Sequence, residues 1–390
     1  KTNAPWAVAE QGQILSPGDQ IRTGRRSKAS LQLADKTLIK VRQLTTMVIQ
    51  PPIAAMSKPE LELQKGSVYF LSREKSGEVP FRTSLSSGSI RGTEFELSVD
   101  GDSQTMRLNL VDGEVKLQTA EGDLVVTNGE EAVVMPGEAP SKTSILNVRT
   151  VVQWTLFYPG ILDVVDLGEN LSIPAIWKTS FEDYKKGNIP SAITNMPDRV
   201  KTGEPDFLRI LRASIWLAHG EIEIARQILA NNNADWGNEQ LRELEMELTN
   251  FILVMQGNAN ATSIKPREPK TATGMLVRSY YHQFNLDLEK ALKWTIRATE
   301  KSPTFGYALA RLADLHFAFA NHDKTRSALG RALEHSPENA QVRVLQGFMH
   351  LASARPGAAL SIFDQAIAID PMLSNAWLGR GLAMYQIGTK

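Results

Sequence analysis

The chain has 390 residues, 42% of them hydrophobic, with 43 basic side chains balancing 43 acidic ones and no cysteine. That length exceeds the ~250–300 residues at which a single core stops growing, so more than one domain is expected. The neutral balance gives no reason to expect a nucleic acid partner, and the missing cysteine excludes disulfides, thiol nucleophiles and thiolate metal sites. No run approaches the ~18 apolar residues of a transmembrane helix.

The chain opens on KTNAPW without an initiator Met, which fits a processed start that has lost a signal peptide, or a trimmed one. From Trp6 to about Met135 the period is two. LQLADKTLIKV, LELQKGSVYFL, MRLNLVDGEVKLQ and DLVVTNGEEAVV alternate apolar with polar residues, and turn chemistry at Pro17-Gly18-Asp19, Lys65-Gly66, Asp112-Gly113 and Asn128-Gly129 separates them. This pattern predicts an all-β domain of stacked antiparallel hairpins over 1–140. The basic run IRTGRRSK, with Arg22, Arg25, Arg26 and Lys28, is read as a solvated hairpin end, since no aromatic platform stands beside it in sequence.

Positions 141–173 show neither period and carry Trp154, Phe157 and Tyr158, with Trp177 soon after. Aromatic residues have little use in a flexible tether, so the stretch is read as an apolar connector docked against both domains, with an exposed partner site as the alternative.

From 174 to 390 the period becomes 3.6, and a repeat emerges. Pro303, Pro337 and Pro371 stand at equal intervals of ~34 residues, with Ala298, Ala332 and Ala366 at a fixed offset before them. Gly347, Ala359, Phe363, Ala366 and Pro371 follow the order of the tetratricopeptide repeat, and Trp377 with Gly381 opens the next unit. The stretch resembles that family, most clearly over 272–390, which implies an all-α, right-handed solenoid. Gly187 with Ala192, and Gly220 with Ala225 and Leu229, mark earlier hinges; GNANATSIKPREPKTAT at 257–273 interrupts the pattern. The final GLAMYQIGTK ends after the first helix of a pair, so a partner or further repeats of the same chain are expected.

Gly18-Asp19, Asp35-Lys36-Thr37, Gly66-Ser67-Val68, Gly92-Thr93-Glu94-Phe95 and Gly113-Glu114-Val115 occur in the order of the FecR-like domain, which the stretch 8–136 resembles. Lys36 stands where a turn glycine is usual. The resemblance implies an extracytoplasmic β module associated with envelope signalling. In SIRGTEFEL, Phe95 and Leu97 are expected to point inward, and Glu94 and Glu96 to share a polar, solvated face rather than to act as an acid/base pair.

Catalytic signatures are missing: no HExxH, G-x-S-x-G, P-loop or G-x-G-x-x-G occurs. His282, His316 and His350 recur at the same interval as the prolines. Equivalent positions in stacked helices lie about 8–10 Å apart, too far to share a metal, so the column is read as packing. No catalytic, cofactor-binding or metal-binding residue is assigned. Partner-binding residues follow from the family's groove offsets: Leu276, Tyr280, Phe284, Tyr307, Arg311, Phe317, Val344, Phe348, Leu351, Asn375, Leu378, Leu382 and Tyr385.

The resulting reading is a non-enzymatic scaffold of the bacterial periplasm or cell surface that binds a protein or peptide, or another copy of itself, in an apolar groove. Rival readings are a periplasmic part of an outer-membrane export or assembly system with a barrel beyond, a FecR-type signalling regulator, and a carbohydrate-active enzyme.

Overall fold

The computed structural model describes residues 6–34, 37–51, 59–72, 79–90, 93–144, 158–168, 171–198, 205–230, 238–256 and 268–388. Asp35, Lys36, Gly92, Trp154, Phe157 and 257–267 of the interrupting stretch lie outside them. Two compact units divide the chain, Lys1–Thr155 and Leu156–Lys390.

The first unit is all β. Its strands are β1 (Gln20–Arg22), β2 (Ala29–Gln32), β3 (Leu38–Val41), β4 (Thr46–Gln50), β5 (Glu60–Leu71), β6 (Val79–Arg82), β7 (Ser86–Ile90), β8 (Glu94–Val99), β9 (Met106–Asp112), β10 (Glu114–Thr119), β11 (Gly122–Thr127), β12 (Glu130–Val134) and β13 (Ser141–Ser144). The ladder runs β11-β10-β7-β6-β5-β8-β9-β12-β13, with β3 and β4 also on β5, β2 on β3 and β1 on β4. Pairing is antiparallel throughout the described ladders except between β5 and β6, where Leu61 lies in parallel register with Phe81.

The long strand β5 organises the unit because it changes partners midway. Its first half pairs β4 and β6, and its second half pairs β3 and β8. Gly66 sits at the changeover with φ +93°, and a Cβ there would run into Thr45. Thr45 Oγ1 uses the space to hold Ser67, accepting from its N at 3.0 Å and donating to its carbonyl at 3.2 Å. Phe70, Phe81 and Phe95 form the centre of the core, with Phe70 stacked on Phe95 at 4.7 Å and Phe81 at 5.7 Å from it. Complete burial of each such ring stabilises the fold by about 1.5–3 kcal/mol.

Phe95 and Leu97 point inward as expected. The polar face differs: Glu96 is buried and Glu94 half-buried, because β8 lies inside the sheet between β5 and β9. Glu94 accepts a hydrogen bond from Tyr69 Oη; burial, and then the nearby Asp112 carboxylate, push its pKa up. The Gly-Thr pair is a packing device. The Thr93 side chain lies against Gly113, whose φ is +104° and whose absent Cβ leaves room for it. Two separated elements of the FecR-like pattern therefore fit each other directly. The basic run also gains an aromatic neighbour that its local sequence does not show: Arg22 lies over the Trp6 ring, 4.4 Å from its centroid.

The second unit is helical: α1 (Lys178–Lys186), α2 (Ile189–Thr194), α3 (Asp206–Ala218), α4 (Ile222–Ala230), α5 (Glu239–Met255), α6 (Ala272–Phe284), α7 (Leu288–Lys301), α8 (Gly306–Ala318), α9 (His322–His335), α10 (Ala340–Ala352), α11 (Pro356–Ile369) and α12 (Ser374–Ile387). From α6 onward the helices pair as an α-solenoid at the spacing of the prolines. Ala298, Ala332 and Ala366 are fully buried, and the Phe363 ring of α11 covers Gly347 of α10, so small residues allow close helix approach. Gly187 and Gly220 end their helices at φ 85° and 88°. In the later repeats the same left-handed turn falls on Leu286, Ala320 and Ala354, at φ 60°, 56° and 53°.

The half of the connector that is described belongs to this helical unit. Tyr158, Ile161, Leu162 and Leu167 join Trp177 and Tyr184 in its core. Residues 158–168 and 171–188 of this segment hold three successive inter-repeat turns, as a strap would. At the first turn, Asp166 accepts from the N–H groups of Ala272 and Thr273 at 3.4 and 2.8 Å. Together with Thr271, which accepts from Gly274 N at 3.0 Å, it satisfies the buried N–H donors that the first turn of α6 leaves without a partner inside the helix. At the second turn, Tyr307 Oη donates to the Tyr184 carbonyl at 2.7 Å. At the third, Glu338 N donates to the Lys186 carbonyl at 2.9 Å and Ser336 Oγ to that of Lys185 at 3.0 Å.

Candidate partner-binding groove

In the tetratricopeptide pattern that the sequence resembles, the first helix of each pair, here α6, α8, α10 and α12, is expected to line one surface. The residues expected there fall into three environments. Leu276, Tyr307, Arg311 and Val344 are buried. Tyr280, Phe284, Phe317, Phe348, Leu351 and Asn375 are half-buried, and Leu378, Leu382 and Tyr385 are exposed.

The strap explains part of this division. Leu276 and Tyr307 share a core cluster with Tyr158, Leu162 and Tyr184, and the Tyr184 and Tyr307 rings meet at 5.2 Å. Tyr280 is drawn inward on its other side, with Phe251 at 5.4 Å and the Arg311 guanidinium 4.5 Å over its ring. Burial pushes its hydroxyl up to about 12. Arg311 is the one cation among the expected groove residues, and its charge is committed. It pairs with Asp314 at 2.9 Å and also donates to Gln283. Asn375 donates to Gln341 Oε1 at 2.9 Å. Phe317 packs in part against one core cluster, and Phe348 and Leu351 against the next, with the Phe348 ring 5.2 Å from that of Phe363; each keeps an accessible edge, the Asp314 carboxylate is exposed beside them, and Leu378, Leu382 and Tyr385 of α12 are exposed.

The histidine column sits beside this surface. His316 is buried, while His282 and His350 are half-buried. Burial lowers each imidazole's pKa, with Arg278, Lys324 and Arg355 respectively adding repulsion. Each ring is thus shifted toward its neutral form. Among the described residues no cluster of three or more His, Asp or Glu is placed to hold a metal ion. No described helix is long and apolar enough to cross a membrane.

The strap is what sequence reading missed. Asp163 and Asp166 lie in a stretch without clear period, and the partners of these residues and of Tyr184, Thr273 and Tyr307, stand far along the chain. One local signal was available. Pro269 precedes Pro303 by the same interval that separates the later prolines, which marks the turn at 269–273 as one of the series the strap crosses.

Residues 19–116 match the model of the FecR protein family. No curated protein matches the chain. Among solved structures, an anti-sigma factor candidate from Parabacteroides distasonis is 16% identical, with 36% of this chain and 68% of that one covered and a TM-score of 0.32. A tetratricopeptide-repeat protein of Thermus thermophilus is 16% identical, covering 46% of this chain and all of the other (100%), at a TM-score of 0.37. Another from Parabacteroides merdae is 14% identical over 54% of this chain and 83% of that one, again at 0.37.

Proposed function

We propose that this chain is a non-enzymatic binding protein of the bacterial envelope, working in the periplasm or at the cell surface, whose helical unit holds a protein or peptide partner. The observation that carries the reading is that the partly accessible side chains at the expected groove positions Phe317, Phe348 and Leu351 are apolar, while Arg311 beside them is already paired with Asp314. A surface of that chemistry suits the apolar face of an amphipathic helix or an extended apolar segment. It gives little to a terminal carboxylate, which needs an uncommitted cation. The FecR-family match of the β unit supports an envelope setting, as that resemblance implies.

The strap favours a preformed binding surface. By tying three inter-repeat turns to one segment, it fixes the spacing of α6, α8 and α10, so that little ordering cost falls on partner binding. The test is a double substitution, Phe317→Ser with Leu351→Ser, in a tagged chain purified from the envelope fraction. Loss of the co-purifying partner from a chain that remains folded, with a thermal midpoint lowered by no more than its half-buried side chains account for, supports the reading. Recovery of the chain only from the cytosol, or a collapse in stability, contradicts it.

A further inference from the structure

The basic run of the β unit takes no part in the groove, and its local structure sets it apart. Two turns lie side by side, 24–27 after β1 and 42–45 between β3 and β4. Leu44 N donates to the Gly24 carbonyl at 3.2 Å, and Arg26 N to Gln43 Oε1 at 2.8 Å. The buried Thr23 donates through Oγ1 to the Arg42 carbonyl and accepts from Thr45 N at 3.0 Å. These bonds lace the two turns into one platform.

One residue on it is out of character. Leu44 is 52% exposed and holds φ 58°, a left-handed backbone that disfavours a bulky apolar side chain. Its neighbour Thr45 is buried, so the turn holds the leucine outward, strained and without burial of its own. The charge around it has one sign. Arg22, Arg25, Arg26, Lys28 and Arg42 lie in these turns and the strands that lead into them, and no acidic residue stands between Gln20 and Ala34 or between Thr37 and Gln50. Arg26, Lys28 and Arg42 are half-buried with contacts of their own, whereas Arg22 and Arg25 are exposed.

We propose that this platform docks the β unit on an anionic bilayer surface. Leu44 enters the interface, where it gains the burial that the fold does not give it, and the arginines meet lipid phosphates through charge-assisted hydrogen bonds. Their aliphatic stems lie alongside Leu44 while the guanidinium heads stay at the level of the phosphates. A soluble polyanion would satisfy the arginines but has no use for the leucine, so the combination favours lipid. Because the turns are pinned, presenting Leu44 takes little ordering. One leucine with a few cations is a modest anchor, and the binding is weak and salt-sensitive.

Co-sedimentation of the whole chain with vesicles tests it, using phosphatidylcholine alone and phosphatidylcholine with about one-third phosphatidylglycerol at about 0.1 M salt. Binding is expected to the mixed vesicles only, and should fall about tenfold at about 0.5 M salt. Arg25→Glu should weaken it about tenfold. Leu44→Asn suits the left-handed turn and removes the apolar side chain, so it should weaken binding about fivefold with the melting midpoint unchanged or raised. No binding to the mixed vesicles, or equal binding to both kinds, overturns the proposal. So does a Leu44→Asn chain that binds the mixed vesicles and heparin as well as the wild type does, which would assign the turns to a soluble polyanion. Phe317 and Leu351 are untouched, so failure here is separable from failure of the groove.

Discussion

The Tyr307 hydroxyl donates to the backbone carbonyl of Tyr184, far earlier in the chain, inside a core from which both rings are almost wholly excluded from water. That bond joins the strap to the start of α8. Tyr307→Phe keeps the ring and removes the donor, leaving the carbonyl with only the N–H of Gly187. The expected loss is about 0.5–1.5 kcal/mol of stability for the helical unit, read by urea denaturation. A change too small to measure would mean that the strap is not fastened at this point.

The same strap carries a pH dependence. Burial pushes Asp163 up from the ordinary 3.8 to about 6, with Asp166 adding repulsion. A carboxyl whose folded pKa is raised contributes stability in its protonated form below about pH 4. That contribution is lost as pH rises through about 6, by about 3 kcal/mol at most. Asp163→Asn imitates the protonated acid and keeps an acceptor for Val165 N. It should raise the thermal midpoint at pH 8 and change it little at pH 4.5. An equal effect at both pH values would place the cause elsewhere.

In the β unit, the fit between Thr93 and Gly113 predicts coupled substitutions. Gly113→Ala introduces a methyl that meets the Thr93 side chain, at a left-handed φ, and should cost about 2 kcal/mol or more. Thr93→Ser removes the opposing methyl and should recover part of that loss in the double variant, with a coupling energy of about 0.5–3 kcal/mol. Additive effects would show that the two residues do not press on each other.

Much of the architecture was legible because it is local. The constant spacing of Pro303, Pro337 and Pro371 and the buried alanines ahead of them follow from helix pairing, which each repeat states in its own sequence. Period-two alternation likewise places Phe95 and Leu97 inward. The burial of Glu96 was not legible, because it depends on β8 having a neighbour on each side, and strand order is a long-range property. The groove was legible only as positions. Offsets name Leu276 and Tyr307, but the segment that buries them begins far earlier in the chain, where no repeat announces it.

The central claim is that the Phe317–Phe348–Leu351 surface holds a partner. Site-specific photocrosslinking in the native host tests it most directly, with a benzophenone amino acid placed at Phe317 or Leu351 and, as a control, at the exposed Lys324 of α9. The account predicts a discrete adduct from the first two positions and none from Lys324. No adduct at Phe317 or Leu351, or equal labelling from Lys324, would contradict it.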